Sequence, residues 1–233
     1  MFNPDTDGDT VLDGYDNHPL HEYLPRNYHY EWRYGRQWLL FTKKFEFDIS
    51  ISEDVVASYE KMPKAKLISR EDAQLKEVAQ IMNQLASEEE YDDADKLMMV
   101  IAFSRSFNYD YTKKDFDKPL PDWANFPMET IVKKQGLCAD SAVMTTALLR
   151  KMGYDAYYLS SNECNHAIIG VPYIDGITLD GSERYVTHNG KKYYYIDPTS
   201  DDYAGNIIYS TTSKDDFGTT FCSSDDFVVR ENY

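Results

Sequence analysis

Gly136-Leu137-Cys138-Ala139-Asp140-Ser141-Ala142 opens a run, 138–152, in which small or apolar residues fall on nearly every face. That pattern predicts a helix sunk in a core rather than laid on one. Gly153 stops it, and Arg150 and Lys151 occupy the last turn, where the helix dipole favours cations. A cysteine in the first turn meets unpaired backbone N–H groups and the positive dipole end, which favour a thiolate. Cys138 is therefore placed as a nucleophile is placed. A lone cysteine on an apolar helix is equally at home as a small hydrophobe, so its partners decide.

Those partners lie downstream. Residues 154–159, 165–171 and 192–196 read as strands, with a hairpin turn at His188-Asn189-Gly190. A helix followed by antiparallel strands is an α+β pattern. His166 starts one strand and Asp197 ends another, so neighbouring strands can set them side by side in front of the helix. A thiol needs a base to take its proton and return it to a leaving group, and imidazole does this near neutral pH. The imidazole needs an acceptor on its other nitrogen. Cys138, His166 and Asp197 are thus the candidate nucleophile, base and orienting acid. His188, in a turn, reads as a surface histidine. Asp140 reads as a charge matched to the helix N-terminus, with a role beside Cys138 left open. Cys164 is either a chance neighbour of His166 or a redox partner.

Upstream, Phe45, Phe47, Ile49 and Ile51 alternate with polar residues, which predicts a half-buried strand paired with the aromatic stretch before Gly35. Ser69 and Asp72 suggest a capping box for a helix over 70–86, and Asp92, Asp93 and Asp95 suit the start of a second over 92–107. Residues 108–127, with Pro119, Pro121 and Trp123, form a long connection that is a candidate cleft wall or simply a covering loop.

Gly136-x-Cys138-x-Asp140-x-Ala142 followed by Leu148-Leu149-Arg150-x-x-Gly153-Tyr154-x-Ala156 resembles the nucleophile segment of the transglutaminase-like superfamily. Asn165-His166-Ala167 is similar to its histidine strand, Tyr194-Tyr195-Ile196-Asp197-Pro198-Thr199 to its acid strand, and Pro127-Met128-Glu129-Thr130 to prokaryotic and archaeal members. The resemblance spans roughly 70–200. It implies a papain-like α+β core with a Cys-His-Asp triad: Cys138 at the N-terminus of a buried helix packed on an antiparallel sheet. Ile168 stands where the family usually has tryptophan. The length leaves no room for the flanking β-domains of animal tissue transglutaminases, and the CxxC pairs typical of the peptide N-glycanase branch do not occur. One oxyanion donor would be the Cys138 N–H; Trp123 and Gln135 are candidates for the other.

The N-terminus carries a different chemistry. Asp5, Asp7, Asp9, Asp13 and Asp16, with the Val11 carbonyl, follow the oxygen-ligand spacing of a calcium loop. Thr10 replaces the usual glycine and Asp16 the usual glutamate, and Pro4 precludes a preceding helix. The loop resembles thrombospondin type 3 repeats, which implies structural calcium and an extracellular or cell-surface setting. The chain thus divides into an acidic loop (1–22), a β-hairpin arm (23–66) and a catalytic core with its tail (67–233).

Over 233 residues, 24 basic and 40 acidic side chains give a formal charge of -16, which disfavours nucleic acid and anionic membranes as partners. No apolar run approaches the ~18–20 residues of a membrane span, and no signal peptide is visible. Three cysteines without a CxxC pair argue against a zinc ribbon, and a Cys164–Cys222 disulfide is arithmetically open. The expected function is thiol-dependent acyl transfer on an amide bond of a protein or peptide, as a peptidase, amidase or transamidase. The rivals are an inactive calcium-dependent adhesion module on the same fold and an acyltransferase using a small acyl donor. The tail beyond residue 199 offers at most an edge strand.

Overall fold

The computed structural model describes residues 6, 12–15, 25–35, 42–64, 66–113, 124–162, 165–175, 185–199 and 227–231. Strands β1 (Pro25–Tyr34) and β2 (Lys43–Ser52) form an antiparallel hairpin with Trp32 opposite Phe45 and Tyr30 opposite Phe47. Tyr30, Trp32, Phe45, Phe47, Ile49 and Ile51 are all buried, so the alternation has its expected consequence: one face is in the core and the other in water. The aromatic face packs on helix α3 (Asp93–Arg105) through Phe103, whose ring lies 5.1 Å from Trp32 and 5.9 Å from Phe47.

Helix α1 (Glu53–Lys61) follows β2 directly, with the Ser52 side chain accepting from the Asp54 N–H. Helix α2 (Ala73–Glu88) is capped by Asp72, not by the Ser69 box that the spacing suggests. Asp72 Oδ1 accepts from Leu75 N–H at 2.9 Å, and its short carboxylate satisfies the orphan donor directly. Asp92 caps α3 in the same way, through Asp95 N–H at 2.9 Å.

Two short strands, β3 (Asn108–Tyr109) and β4 (Gln135–Gly136), pair in parallel on either side of helix α4 (Pro127–Lys133). Proline at the first position of α4 costs nothing, because that N–H would be unpaired anyway. Helix α5 (Cys138–Lys151) comes next, and every residue from Cys138 to Leu149 is buried. It is wrapped by α2, α3 and α4 on one side and by strands β5 (Tyr157–Ser161) and β6 (His166–Val171) on the other. Gly153 ends the turn with φ +99, a conformation that costs an L side chain.

β5 and β6 belong to an antiparallel sheet completed by β7 (Tyr185–His188), β8 (Lys191–Ile196) and β9 (Val228–Val229), in the order β7-β8-β6-β5-β9. The sheet curls until its two edges meet: His188 at the end of β7 pairs with Glu231, just beyond β9, at 2.8 Å. Leu159, Ile168, Tyr195 and Phe227 fill the inside of this curl. Ala167, Ile169 and Val171 alternate with them and join the larger core around α5. The fold is α+β. Among the described residues, no helix is long and apolar enough to cross a membrane.

Candidate active site

The start of α5, the start of β6 and the end of β8 converge. β6 pairs with β8 so that Ile169 faces Ile196 and Gly170 faces Tyr195, which brings His166 and Asp197 to the same end of the sheet. His166 Nε2 lies 2.8 Å from Asp197 Oδ2, and the imidazole is near enough to the Cys138 thiol for each to shift the other's proton affinity. The structure thus brings Cys138, His166 and Asp197 together, with Cys138 6% exposed.

Each is held by local chemistry. Asn165, at φ 47, adopts the left-handed conformation that asparagine tolerates better than most residues, turning the chain just before His166. The His166 ring meets Phe227 edge-on, with centroids 6.5 Å apart. Asp197 Oδ1 accepts from the N–H of Thr199 at 2.8 Å and from its hydroxyl at 2.6 Å, an Asx turn that leaves Oδ2 for histidine. Arg105, at the end of α3, donates to the Asp197 carbonyl through Nε at 3.2 Å and Nη2 at 2.9 Å.

At the head of α5, Asp140 is fully buried. Its carboxylate accepts from Lys113 Nζ at 2.8 and 2.9 Å, from the Asn125 N–H at 2.7 Å and from the Leu137 N–H at 2.9 Å. Asp140 is therefore more than a charge at a helix end. It ties three chain segments around the turn that presents Cys138. Gly136 is required beside it, since a Cβ there would lie 2.7 Å from Asp140 Cβ.

The electrostatics follow from the geometry. Burial pushes the Cys138 thiol up, but the imidazolium charge of His166, its hydrogen bond and the Ala167 N–H outweigh burial and hold the thiol below its ordinary value. Burial pulls His166 down, while the charges of Asp197 and Cys138 carry it well above 6.5. Burial likewise works against the Asp197 carboxylate, and His166 and Thr199 keep it below 3.8. The arrangement favours a thiolate–imidazolium pair.

Sequence reasoning missed Tyr109. Burial and the charge of the nearby Cys138 push its phenol well above the ordinary value. No local pattern marks it, because the contact depends on the β3–β4 pairing. Of the two candidate oxyanion donors named from sequence, Gln135 is half-buried on β4 and Trp123 lies outside the described residues.

His188 is not the exposed surface residue expected of a turn. Its side chain is 18% exposed and paired with Glu231, and it sits at the end of the β7–β8 hairpin opposite to Asp197. His29 pairs with Asp48 across the β1–β2 hairpin at 2.9 Å. His29, Glu31 and Glu46 are close enough to share a cation, but they are exposed and Lys44 already bridges the two glutamates at 2.8 Å each. Asp5, Asp7, Asp9, Val11 and Asp16 of the calcium-type loop lie outside the described residues. Asp13 accepts from the N–H of Thr6 at 2.8 Å and from its hydroxyl at 2.6 Å. Cys164 and Cys222 also lie outside the described residues, and Cys138 is a free thiol.

Among solved structures, the periplasmic domain of TgpA from Pseudomonas aeruginosa, crystallised bound to ethylmercury, is similar at 11% sequence identity and a TM-score of 0.35. The similarity covers 67% of this chain, which spans 56% of that one. No curated protein matches. Residues 76–177 match the family described as "Transglutaminase-like domain", a segment that includes Cys138 and His166 and stops short of Asp197. Over those residues the chain is similar to transglutaminase-like domains.

Proposed function

We propose that this chain is a thiol-dependent acyl-transfer enzyme acting on an amide bond of a protein or peptide. The observation that supports this most is a histidine that contacts Asp197 at 2.8 Å and interacts electrostatically with a cysteine at the N-terminus of a buried helix. In this reading the Cys138 thiolate attacks the amide carbon, forming a C–S bond while the carbonyl electrons move to oxygen. Collapse of the tetrahedral intermediate breaks the C–N bond, and His166 gives its proton to the departing amine. Asp197 holds the ring in register and supports its positive charge. Water, deprotonated by His166, then cleaves the thioester; an amine in place of water makes the reaction a transamidation. Hydrolysis is the preferred outcome, since water needs no acceptor site of its own.

The acidic loop would bind calcium through Asp5, Asp7, Asp9, the Val11 carbonyl, Asp13 and Asp16, a set of hard oxygen donors suited to that ion. Its role would be structural, ordering the N-terminal segment of a protein that works outside the cytoplasm.

Incubation with a pool of glutamine-containing peptides, followed by acid quench and intact-mass measurement, tests the proposal. An adduct on Cys138 that hydroxylamine removes and that Cys138→Ala lacks is the expected result. An unmodified protein and an unchanged peptide pool after prolonged incubation would count against acyl transfer.

A further inference from the structure

Asp197 stands where the sheet ceases to hold the chain. The β6–β8 ladder ends at the Ile169–Ile196 pair, so Asp197 is the first residue past it. The next two carbonyls, those of Asp197 and Pro198, are both taken up by the end of α3. Arg105 donates to the Asp197 carbonyl through Nε at 3.2 Å and Nη2 at 2.9 Å. The Ser104 hydroxyl donates to the Pro198 carbonyl at 3.4 Å. Ser104 is 2% exposed, and its Oγ accepts from Thr145 Oγ1 on α5 at 2.8 Å. Thr145 lies about two turns beyond Cys138, on the same face of that helix. The end of α3 therefore ties the segment that carries the acid to the helix that carries the nucleophile.

The steps above need the Asp197 carboxylate to stay 2.8 Å from His166 Nε2. Thr199 binds the other carboxylate oxygen, but it belongs to the same turn and travels with Asp197. Helix α3 does not: its residues from Leu97 to Ser104 are all buried, so its end is a fixed point. We propose that Arg105 is a positioning residue of the acyl-transfer reaction, gripping the main chain of Asp197 and so holding its carboxylate against His166. The inference rests on the acyl-transfer reading above.

The grip suits a guanidinium. Nε and Nη2 form one rigid edge, and both donate to the same oxygen, which fixes the carbonyl in direction as well as distance. A lysine would put a single mobile charge in place of that edge. Because these bonds go to the main chain, Oδ2 stays with His166 and Oδ1 with Thr199. Without them, Asp197 would keep its Asx turn but lose its station, and the imidazolium would lose the charge that supports it.

Alkylation of Cys138 by iodoacetamide against pH reads the state of the triad. Asp197→Asn sets the reference: its reactive shoulder should move toward the ~8.5 of a free thiol. Arg105→Met should move the shoulder the same way and slow alkylation at about pH 6 by roughly ten-fold. Arg105→Lys, which keeps the charge and loses the fork, should fall between the wild type and Arg105→Met. In the Asp197→Asn background, Arg105→Met should add less than about two-fold, since both changes break one path. An unmoved shoulder in Arg105→Met overturns the inference, and so does strict additivity with Asp197→Asn. Wild-type behaviour of Arg105→Lys overturns it too, making charge rather than grip responsible; that variant decides alone if Arg105→Met does not fold. Faster alkylation at every pH also overturns it, because exposure of the buried thiol marks a purely structural role. These outcomes leave the acyl-transfer reading standing so long as the wild type has a shoulder that His166→Ala abolishes. A wild type without that shoulder overturns both.

Discussion

Replacing Asp140 by alanine tests the architecture that presents Cys138. The carboxylate is 0% exposed, and the Lys113 side chain that pairs with it is only 16% exposed. Alanine would strip the counter-charge from a largely buried ammonium, and breaking a buried pair in this way costs roughly 3–5 kcal/mol. It would also orphan the Asn125 and Leu137 N–H groups, which now donate at 2.7 and 2.9 Å. Local relaxation and entering water offset part of that second loss, so about 4 kcal/mol is expected, near the top of the range for single substitutions. Urea unfolding with m unchanged would measure it. Lys113→Met should cost less alone, and the two substitutions together should cost about 2 kcal/mol less than the sum of the singles, since they share one interaction. A loss below ~0.5 kcal/mol for Asp140→Ala, the level of an ordinary surface change, or strict additivity in the cycle, would refute this reasoning.

Gly136→Ala should destabilise by about 1–3 kcal/mol, because its Cβ would meet Asp140 Cβ at 2.7 Å and Thr130 Cγ2 at 3.3 Å; an unchanged urea midpoint would mean that the turn yields freely. Phe227→Ala should cost about 3–5 kcal/mol, since the ring is 2% exposed and packs between His166 and Tyr195; loss of β9 without loss of Cys138 reactivity would separate stability from the site. Asp197→Asn should show a pH signature. A carboxyl held below 3.8 in the folded state contributes stability that is fully present above the unfolded value and is lost as pH falls through the folded one. The variant's deficit should therefore be large near about pH 6 and shrink toward about pH 3, and a pH-independent deficit would contradict the pairing with His166.

Much of this arrangement is legible in the sequence. Helix α5 is legible because apolar residues surround it and Gly153 stops it, and the hairpin because Phe45, Phe47, Ile49 and Ile51 keep a period of two. The edge strand near Val228 is legible because a short apolar run near a chain end has a sheet edge to join. His166 and Asp197 can be paired on paper because strand ends are where a sheet gathers side chains from distant residues. Other features are not legible, for physical reasons. Helices α1 and α4 are too short for periodicity, although Ser52 before two acids and Pro127 at a first helical position are both start signals. The choice of Asp72 over Ser69 as a cap turns on one hydrogen bond. The environment of His188 depends on the curl of the whole sheet, which carries Glu231 to it. Tyr109 reaches Cys138 only through a two-residue parallel bridge, and no local window contains that information.

The decisive measurement is the rate of Cys138 alkylation by iodoacetamide as a function of pH, in the wild type and in His166→Ala. A thiolate–imidazolium pair predicts a reactive shoulder well below the ~8.5 of a free thiol, and its disappearance in the variant. A single titration near the free-thiol value in both proteins would contradict the pair, and with it the reading of Cys138 as a nucleophile.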